Sequence, residues 1–555
     1  MTDYEAGAEA AEVRRGAFTR NASGLTRDIS AVHHWMYNVF TLLILSGAAF
    51  FYLWAPGVFP GTNAVIALVV AAAAIVPIYV AYALLAASMP RTGGDYVFQS
   101  RILHPAVGFT ALFAMVIWLW YWLELSGFWI SNMVFSPLFT TWGVYWQSDT
   151  LLSWASWFST QEGIFATAVV MNFAIAAAFV PGLRTYLKAQ WWLFAGVVVS
   201  LLTMLVLLLS TSRGEFISRF NELMAALDPD HPNYYAYVIN TARQNGFDPH
   251  AGAGFWGGLL AVVAIAWFNL IWAVWAMPNL GEIKHAGSFR MMNRVMQSSL
   301  AFGLAVMAST VALLIHVAGS DFIKAAGYNW WNGTIDYPVI PYSSILVAAM
   351  GASAVLVPFV LIGFLTQSLQ QAWNVFIGGT RLIVAMSMDR MLPDSLGRLS
   401  RRFRGSPINA ILFLLLGGQA LALLFLFTPN VESYALSTAL AATVYQTLTL
   451  LAAAVFAFRS RDLFAASPAA RYRVFGIPLI TVCGVWGVVV GVALIAKYLT
   501  DPGLGLRPLP GEALGGFIGM LAVYGVALAW FVGAWRYNRS RGIDIGLNFR
   551  QLPPD

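Results

Sequence analysis

The stretch that decides the fold is TLLILSGAAFFYLW, Thr41–Trp54. It is as apolar as a helix that crosses a bilayer, yet Ser46 and Gly47 stand in its middle, followed by Ala48 and Ala49. Small residues at this place have two explanations. They let a neighbouring helix approach closely, or they mark a break whose freed backbone groups bind a ligand. The stretch alone leaves both explanations open.

The composition of the chain indicates a polytopic membrane protein. Of 555 residues, 59% are hydrophobic and only 10% are charged, whereas soluble domains carry about a quarter charged residues. The one cysteine, Cys483, excludes an intramolecular disulfide and a metal site built on cysteines. The first thirty residues lack the apolar core of a signal peptide. We therefore expect a polar tail at residues 1–32.

Twelve stretches are long and apolar enough to cross the hydrocarbon core, which takes about twenty residues. They are residues 33–54, 63–89, 106–137, 163–181, 188–210, 256–280, 296–319, 343–378, 408–428, 434–458, 475–498 and 514–536.

The distribution of basic residues tests this count and sets the orientation. With the N-terminus in the cytoplasm, 25 of the 31 Lys and Arg residues fall on the inner side. The sequence therefore predicts a multi-pass protein of the cell membrane with both termini cytoplasmic. The net charge of +6 then reflects membrane topology, and we expect no nucleic-acid partner.

Four segments between or at the ends of these spans carry a family resemblance. They are MPRTGGDYVFQSRILHPAVGF (89–109), PNLGEIK (278–284), GTRLIVAMSMDRMLPDSLGRLSRRFRGSPINA (379–410) and ARYRVFGIPLI (470–480). Each one is weak alone. Together, in this order and with twelve spans, they resemble the amino acid–polyamine–organocation permeases.

The resemblance implies an all-α membrane fold with 12 transmembrane helices. It is the leucine-transporter type, a 5+5 inverted repeat plus two C-terminal helices. The implied division is a cytoplasmic tail (1–32), a first five-helix repeat (33–210), an extracytoplasmic loop (211–255), a second repeat (256–458), helices 11 and 12 (459–537) and a cytoplasmic tail (538–555).

The resemblance also implies a substrate site where spans 1 and 6 are broken, and it favours a break at Ser46-Gly47. Unwound backbone leaves N–H groups unpaired, and the following half-helix points its positive end at the gap. In span 6 the corresponding segment, NLIWAVWA (269–276), lacks the family's glycine, so a second break stays open. The residues expected to bind substrate are Thr41, Ser46, Gly47, Ala48, Tyr121, Glu124, Asn269, Trp272 and Ala273.

Glu124, in WLWYWLELSGF, is a carboxyl group well inside span 3. An ionisable group there is costly and indicates function by default. It could hold a substrate amine, carry a coupling proton, or make a structural hydrogen bond between spans. Asn374, in the polar run FLTQSLQQAWNVF, is the second coupling candidate. The lysine that many relatives carry in span 5 falls near Val197 here, so we favour H+ coupling or exchange over sodium.

Arg27, before span 1, and Asp389, after span 8, lie at span ends that meet at the inner surface in this fold. The sequence predicts that they pair as an inner gate. The alternative is a solvated ion pair, which contributes little.

These observations predict a secondary-active transporter that moves an amino acid or a related small amine across the bilayer by alternating access. Two alternatives stay open: a carrier for a purely cationic amine or polyamine, and a membrane sensor that binds without transport. The sequence has no nucleophile triad, metal cluster or ATP-binding loop, so we expect neither an enzyme nor a cofactor or metal. It does not specify the substrate or the oligomeric state.

Overall fold

The computed structural model describes residues 25–351, 353–403, 405–427, 435–504 and 514–553. Within these residues, eleven helices are long and apolar enough to cross a membrane. They are Ala31–Val58, Ala64–Ser88, Pro105–Tyr145, Gln161–Phe179, Leu183–Ser210, Phe255–Glu282, Phe289–Ala318, Ile408–Leu426, Ser437–Arg459, Leu479–Thr500 and Phe517–Ser540. The chain is therefore a largely helical, multi-pass membrane protein. Its predicted N-terminal tail lies outside the described residues as far as residue 24.

The first predicted span consists of two helices, α1 (Ala31–Thr41) and α2 (Ser46–Val58), joined by a turn. Within the turn Leu43 has a φ of 53°, a left-handed conformation that is uncommon for any residue with a Cβ. Every residue from Met36 of α1 to Gly57 of α2 is buried. Ser46 and Gly47 therefore begin a helix instead of standing inside one.

The other α-helices follow in chain order, with strands and non-α turns between some of them. They are α3 (Ala64–Ser88), α4 (Asp95–Ile102), α5 (Pro105–Ile130), α6 (Ser136–Tyr145), α7 (Asp149–Ser159), α8 (Gln161–Phe179), α9 (Leu183–Ser210), α10 (Arg213–Ala225), α11 (Tyr234–Gln244), α12 (Leu260–Leu270), α13 (Phe289–Ala318), α14 (Ser320–Asn332), α15 (Ser343–Met350), α16 (Leu356–Met388), α17 (Ile408–Leu426), α18 (Ala435–Arg459), α19 (Arg461–Ala465), α20 (Leu479–Thr500), α21 (Leu514–Ser540) and α22 (Gly546–Phe549). Strands β1 (Arg473–Val474) and β2 (Ile477–Pro478) pair antiparallel. Among the described residues there are also two π-helical turns (Ser131–Phe135 and Phe255–Leu259) and three 3-10 helices (Trp272–Glu282, Pro468–Arg471 and Pro502–Leu504).

The sixth predicted span changes its helix type in mid-course. It runs as α12 to Leu270 and continues as a 3-10 helix over Trp272–Glu282. Runs of 3-10 helix longer than three or four residues are uncommon, and they often mark a hinge or strain. Tyr79 of α3 donates a hydrogen bond to the carbonyl oxygen of Leu270 at 2.6 Å. A side chain therefore satisfies a backbone acceptor where α12 ends.

The eighth predicted span, residues 343–378, corresponds to α15 and the larger part of the long helix α16. Helix α16 is not among the eleven. Its 33 residues give a length of about 50 Å, enough to cross a bilayer. The buried side chains of Gln367, Gln370, Gln371 and Asn374 make its centre polar. The count of twelve spans stays a prediction that depends on α16.

Helix α14 covers the part of α2 that lies toward Val58. In α14, Trp331 stacks on Trp54 with ring centroids 5.4 Å apart, and Trp330 meets Phe50 edge-on at 5.7 Å. A Cβ added at Gly57 of α2 would meet the backbone of α14, so this close approach requires glycine. The structure thus buries this part of α2 against α14.

At the arginine-rich end of the protein, the segment before α1 pairs with the segment after the sixth span. Ile29 and Ile283 form a parallel bridge. Beside it, Arg381 of α16 makes a bidentate ion pair with Glu282, with N–O distances of 2.6 and 2.7 Å. Both side chains are nearly fully buried. This ion pair joins α16 to the 3-10 helix. Removal of either partner would leave the other charge buried and unpaired, which is strongly destabilising.

We predict that Glu282→Gln lowers the free energy of unfolding by about 3–5 kcal/mol, because it leaves the buried Arg381 without its counter-charge. Asp28→Asn is the matched control. It breaks the Asp28–Arg184 pair, whose arginine is 73% exposed, and we expect a loss of about 0–1 kcal/mol. Reversible unfolding in mixed micelles measures both. Equal small losses would contradict the prediction.

Candidate functional site

The two interrupted spans meet at Gly47. A Cβ built on Gly47 would lie 2.6 Å from Oδ1 of Asn269 and 2.7 Å from Cβ of Leu43. Both distances are shorter than Cβ contacts in real proteins, so only glycine fits without a shift. The start of α2 and the end of α12 therefore face each other across this residue.

Asn269 is fully buried at this meeting point. Among the described residues, neither its Nδ2 nor its Oδ1 has a hydrogen-bond partner. A buried polar group left unpaired costs about 1–3 kcal/mol. The amide is therefore able to donate to and accept from a small polar ligand beside Gly47.

The backbone N–H groups at the start of α2 are bound by a side chain of α16. Oε1 of Gln367 accepts hydrogen bonds from the N–H groups of Leu45 at 2.7 Å and Ser46 at 3.0 Å. Oγ of Ser46 is also 2.9 Å from Oγ of Ser368. The start of a helix favours negative charge, and here it binds the partially negative oxygen of an amide.

Aromatic rings form one wall beside these groups. Trp122 of α5 meets Trp272 edge-on at 5.2 Å and stacks on Phe268 at 5.5 Å. Trp272 in turn lies 6.3 Å from Trp275. The indole N–H groups of Trp122 and Trp272 have no partner among the residues that the structure describes. Most of the surface of this wall is therefore apolar, and its two indole N–H groups are able to donate hydrogen bonds to a ligand.

The remaining small residues expected here are also buried. Ala48 and Ala273 are fully buried, and Thr41 is 2% exposed. The Thr41 hydroxyl donates to the carbonyl oxygen of Asn38 at 2.8 Å, so its hydrogen bond stays within α1. The structure thus surrounds the turn between α1 and α2 with protein on every side.

A comparison with protein families agrees with this architecture. The family model described as "Amino acid permease" matches residues 36–506, which include both interruptions and α16. The chain belongs to the amino acid permease family. This is a family of the amino acid–polyamine–organocation superfamily, and its members are transporters for amino acids or amines. A comparison with curated proteins gives no significant match.

In the permease, Asn374 belongs to a buried polar network between α9, α16 and the 3-10 helix. Its Oδ1 accepts from the Tyr186 hydroxyl at 3.0 Å and from Nε2 of Gln370 at 2.9 Å. Its carbonyl oxygen accepts from the indole of Trp275 at 3.2 Å. Asn374 is thus joined to the aromatic wall through Trp275.

Glu124 lies on a different side of α5 from the wall. It is 1% exposed, and in the described part of the chain its Oε2 has no hydrogen-bond partner. Trp122, which reaches the wall, is two residues away, about 200° around the helix. Tyr121 packs against Phe425 of α17 at 6.0 Å. The ring of Tyr121 thus packs toward α17, and Glu124 lies on a face of α5 that differs from that of Trp122.

The structure gives Asp389 a different cation from the predicted one. The sequence predicts Arg27, but an exposed Arg27 precedes Asp28, which pairs with Arg184. Asp389 is buried and lies 2.7 Å from Arg101 of α4. The reason is tertiary: after the Gly93-Gly94 turn, both glycines with positive φ, α4 folds back beneath α16.

Helix α4 also carries a buried carboxyl group of its own, Asp95, which joins this helix to α18. Asp95 accepts a hydrogen bond from Oγ1 of Thr449 at 2.7 Å. Burial raises the pKa of Asp95 to about 6, because a charged carboxylate is disfavoured away from water. Its ionisation therefore falls close to neutral pH.

Three residues of the site had little signal in the sequence. Gln367 is one of several polar residues in α16, and nothing in the pattern shows that it binds the start of α2. The sequence around Trp122 is rich in aromatic residues, and nothing in it distinguishes Trp122 from a residue that only packs between helices. Arg101 has no sequence neighbour that indicates Asp389, which lies 288 positions away.

We predict that Gln367→Leu destabilises the permease, because the N–H groups of Leu45 and Ser46 lose their acceptor at about 1–3 kcal/mol each. Gln371→Leu, one turn further along α16, is the control. The side chain of Gln371 makes no hydrogen bond to a described residue and is 7% exposed. Unfolding in mixed micelles compares the two variants. The prediction is wrong if both lose the same stability.

Proposed function

We propose that the permease is a secondary-active transporter for an amino acid or a related small amine. It alternates access around a midplane site between the start of α2 and the end of α12, which correspond to broken helices 1 and 6. The observation that supports this site is the contact of Gly47 with the buried, unbonded amide of Asn269.

The chemistry of an amino acid suits the groups at this site. Its carboxylate replaces Oε1 of Gln367 as the acceptor for the N–H groups of Leu45 and Ser46, where the positive end of α2 favours an anion. Its ammonium group has Oδ1 of Asn269 as an acceptor. The ring faces of Trp122 and Trp272 also attract a cation.

The surrounding framework is proposed as the leucine-transporter arrangement. Residues 33–210 and 256–458 form the two inverted repeats, with α16 as the eighth of twelve spans, and residues 459–537 form the last two. Both termini are cytoplasmic. The order of the four family-like segments and the distribution of basic residues support this proposal.

At the cytoplasmic side, we propose that Asp389 closes the protein with Arg101 in place of Arg27. Both side chains of this pair are at most 3% exposed, and the Tyr96 hydroxyl donates to the same carboxylate at 2.8 Å. Opening toward the cytoplasm then requires α4 to separate from the end of α16.

A carrier for purely cationic amines is the less favoured alternative. Such a substrate has no carboxylate for the start of α2, and it needs an anionic anchor. The sequence offers Glu124 as this anchor, yet Glu124 lies two residues from Trp122, about 200° around α5 from the residue that reaches the wall. The geometry therefore supports a substrate with both a carboxylate and an amine.

We predict that Gly47→Leu abolishes substrate binding and uptake, because its side chain enters the space of Asn269. Gly525→Leu is the matched control, since Gly525 of α21 has no neighbour within 4 Å. A thermal-shift screen against amino acids and amines identifies the substrate, and uptake into proteoliposomes then measures transport. Size-exclusion chromatography confirms that both variants fold. Wild-type uptake by Gly47→Leu would contradict the proposed site.

We further propose that Glu124 carries the coupling proton. It is a buried carboxyl group, and an isolated charge there is too costly to persist. Glu124→Gln is then expected to lose pH-driven uptake and keep substrate exchange, whereas Glu222→Gln, exposed in α10, changes neither. If Glu124→Gln matches the wild type in binding, exchange and pH-driven uptake, Glu124 has only a structural role.

A further inference from the structure

A groove lies on the periphery of the helix bundle. Its lining residues fall within 390–394 and 526–541 and are distinct from those of the proposed transport site. The groove runs beside α21 and is closed on its other side by residues 390–394, which follow α16. Its volume is about 830 Å³, near the upper end of the range for small-molecule pockets. Its location at the arginine-rich end of α21 corresponds to the inner leaflet in the proposed orientation.

The groove changes from apolar to basic along α21. Val526, Trp530, Gly533, Tyr537 and Arg541 line it in that order, at intervals of three or four residues, which places them on one helix face. From the first to the last, this face extends about 22 Å. That length exceeds the roughly 15 Å of hydrocarbon in one leaflet, so the face reaches the headgroup level.

The basic end of the groove favours an anion. Arg390 and Arg541 line it together with one carboxylate, Asp394, so the charged lining residues carry a formal net charge of +1. The guanidinium of Arg541 lies 5.6 Å from the ring centre of Tyr537. Aromatic and basic side chains in this combination are typical of the membrane interface.

Two hydrogen bonds join the floor of the groove to α21. Trp530 donates from its indole to the carbonyl oxygen of Met391 at 2.9 Å, and Asn538 donates to that of Arg390 at 3.1 Å. Arg390 has a φ of 60°, which is uncommon for a residue with a Cβ. The basic end is therefore preformed, directly after Asp389.

We propose that this groove binds an anionic glycerophospholipid of the inner leaflet. Its phosphate lies between Arg390 and Arg541, and its acyl chains lie along Trp530, Gly533 and Val526. Basic pockets between membrane helices on the cytoplasmic side bind anionic headgroups in this way. The apolar part of the groove distinguishes a lipid from a free phosphate ion.

The test measures binding of phosphatidylglycerol and phosphatidylcholine with identical chains to the purified full-length permease, by native mass spectrometry. We expect preferential binding of phosphatidylglycerol. Arg541→Gln should weaken that binding about fivefold, which corresponds to about 1 kcal/mol for one basic side chain at an anionic surface. Gly533→Leu should weaken binding of both lipids, since it fills a position with no neighbour within 4 Å.

Two controls on the same helix separate this site from general attraction to the bilayer. Arg539→Gln and Gly525→Leu remove the same charge and add the same volume at residues that do not line the groove, and both should bind as the wild type does. Equal binding of the two lipids, or equal weakening by Arg539→Gln and Arg541→Gln, overturns the proposal. Competition by inorganic phosphate at millimolar concentration also overturns it, because the ligand is then a soluble anion.

Discussion

The structure depends on the pairing of backbone groups at a helix interruption that is surrounded by protein inside a membrane bundle. Away from water, each unpaired N–H or carbonyl group costs several kcal/mol. The turn after α1 frees such groups, and Gln367 of α16 satisfies two of them. At the end of α12, Tyr79 does the same for the carbonyl of Leu270. The interruptions persist because neighbouring helices supply these side chains.

This requirement explains why α16 is polar although it lies in the interior. Its amides satisfy the start of α2, and Gln370 and Asn374 join it to α9 through Tyr186. A helix that makes these side-chain hydrogen bonds needs polar residues at its centre, and its hydropathy is therefore lower than that of a lipid-facing span. For the same reason α16 is less apolar than the eleven membrane-spanning helices given above. It is nevertheless longer than any of them except Pro105–Tyr145.

The site and the arginine-rich end are connected through the same elements. The 3-10 helix begins beside Asn269 and ends at Glu282, which is bound to Arg381 of α16. Beyond the end of α16, Asp389 binds Arg101, and Arg390 lines the surface groove. A displacement of α16 relative to the sixth span therefore has to alter the buried ion pair between Arg381 and Glu282. Such discrete contacts suit a protein with two alternative arrangements.

The sequence by itself determined the membrane class and the family, because apolar length and ordered local segments are properties of the chain. It also predicted a break at Ser46-Gly47, and the structure has a turn directly before these two residues. It left open a second break within residues 269–276, where the structure changes helix type after Leu270. The orientation of side chains was beyond it. Glu124 and Trp122 are two residues apart, and only the packing of α5 decides that Trp122 faces α12. Likewise only the tertiary structure shows that Asp389 pairs with Arg101, which the Gly93-Gly94 turn brings to the end of α16. Contacts between residues distant in sequence arise from the packing of helices, and no local pattern records them.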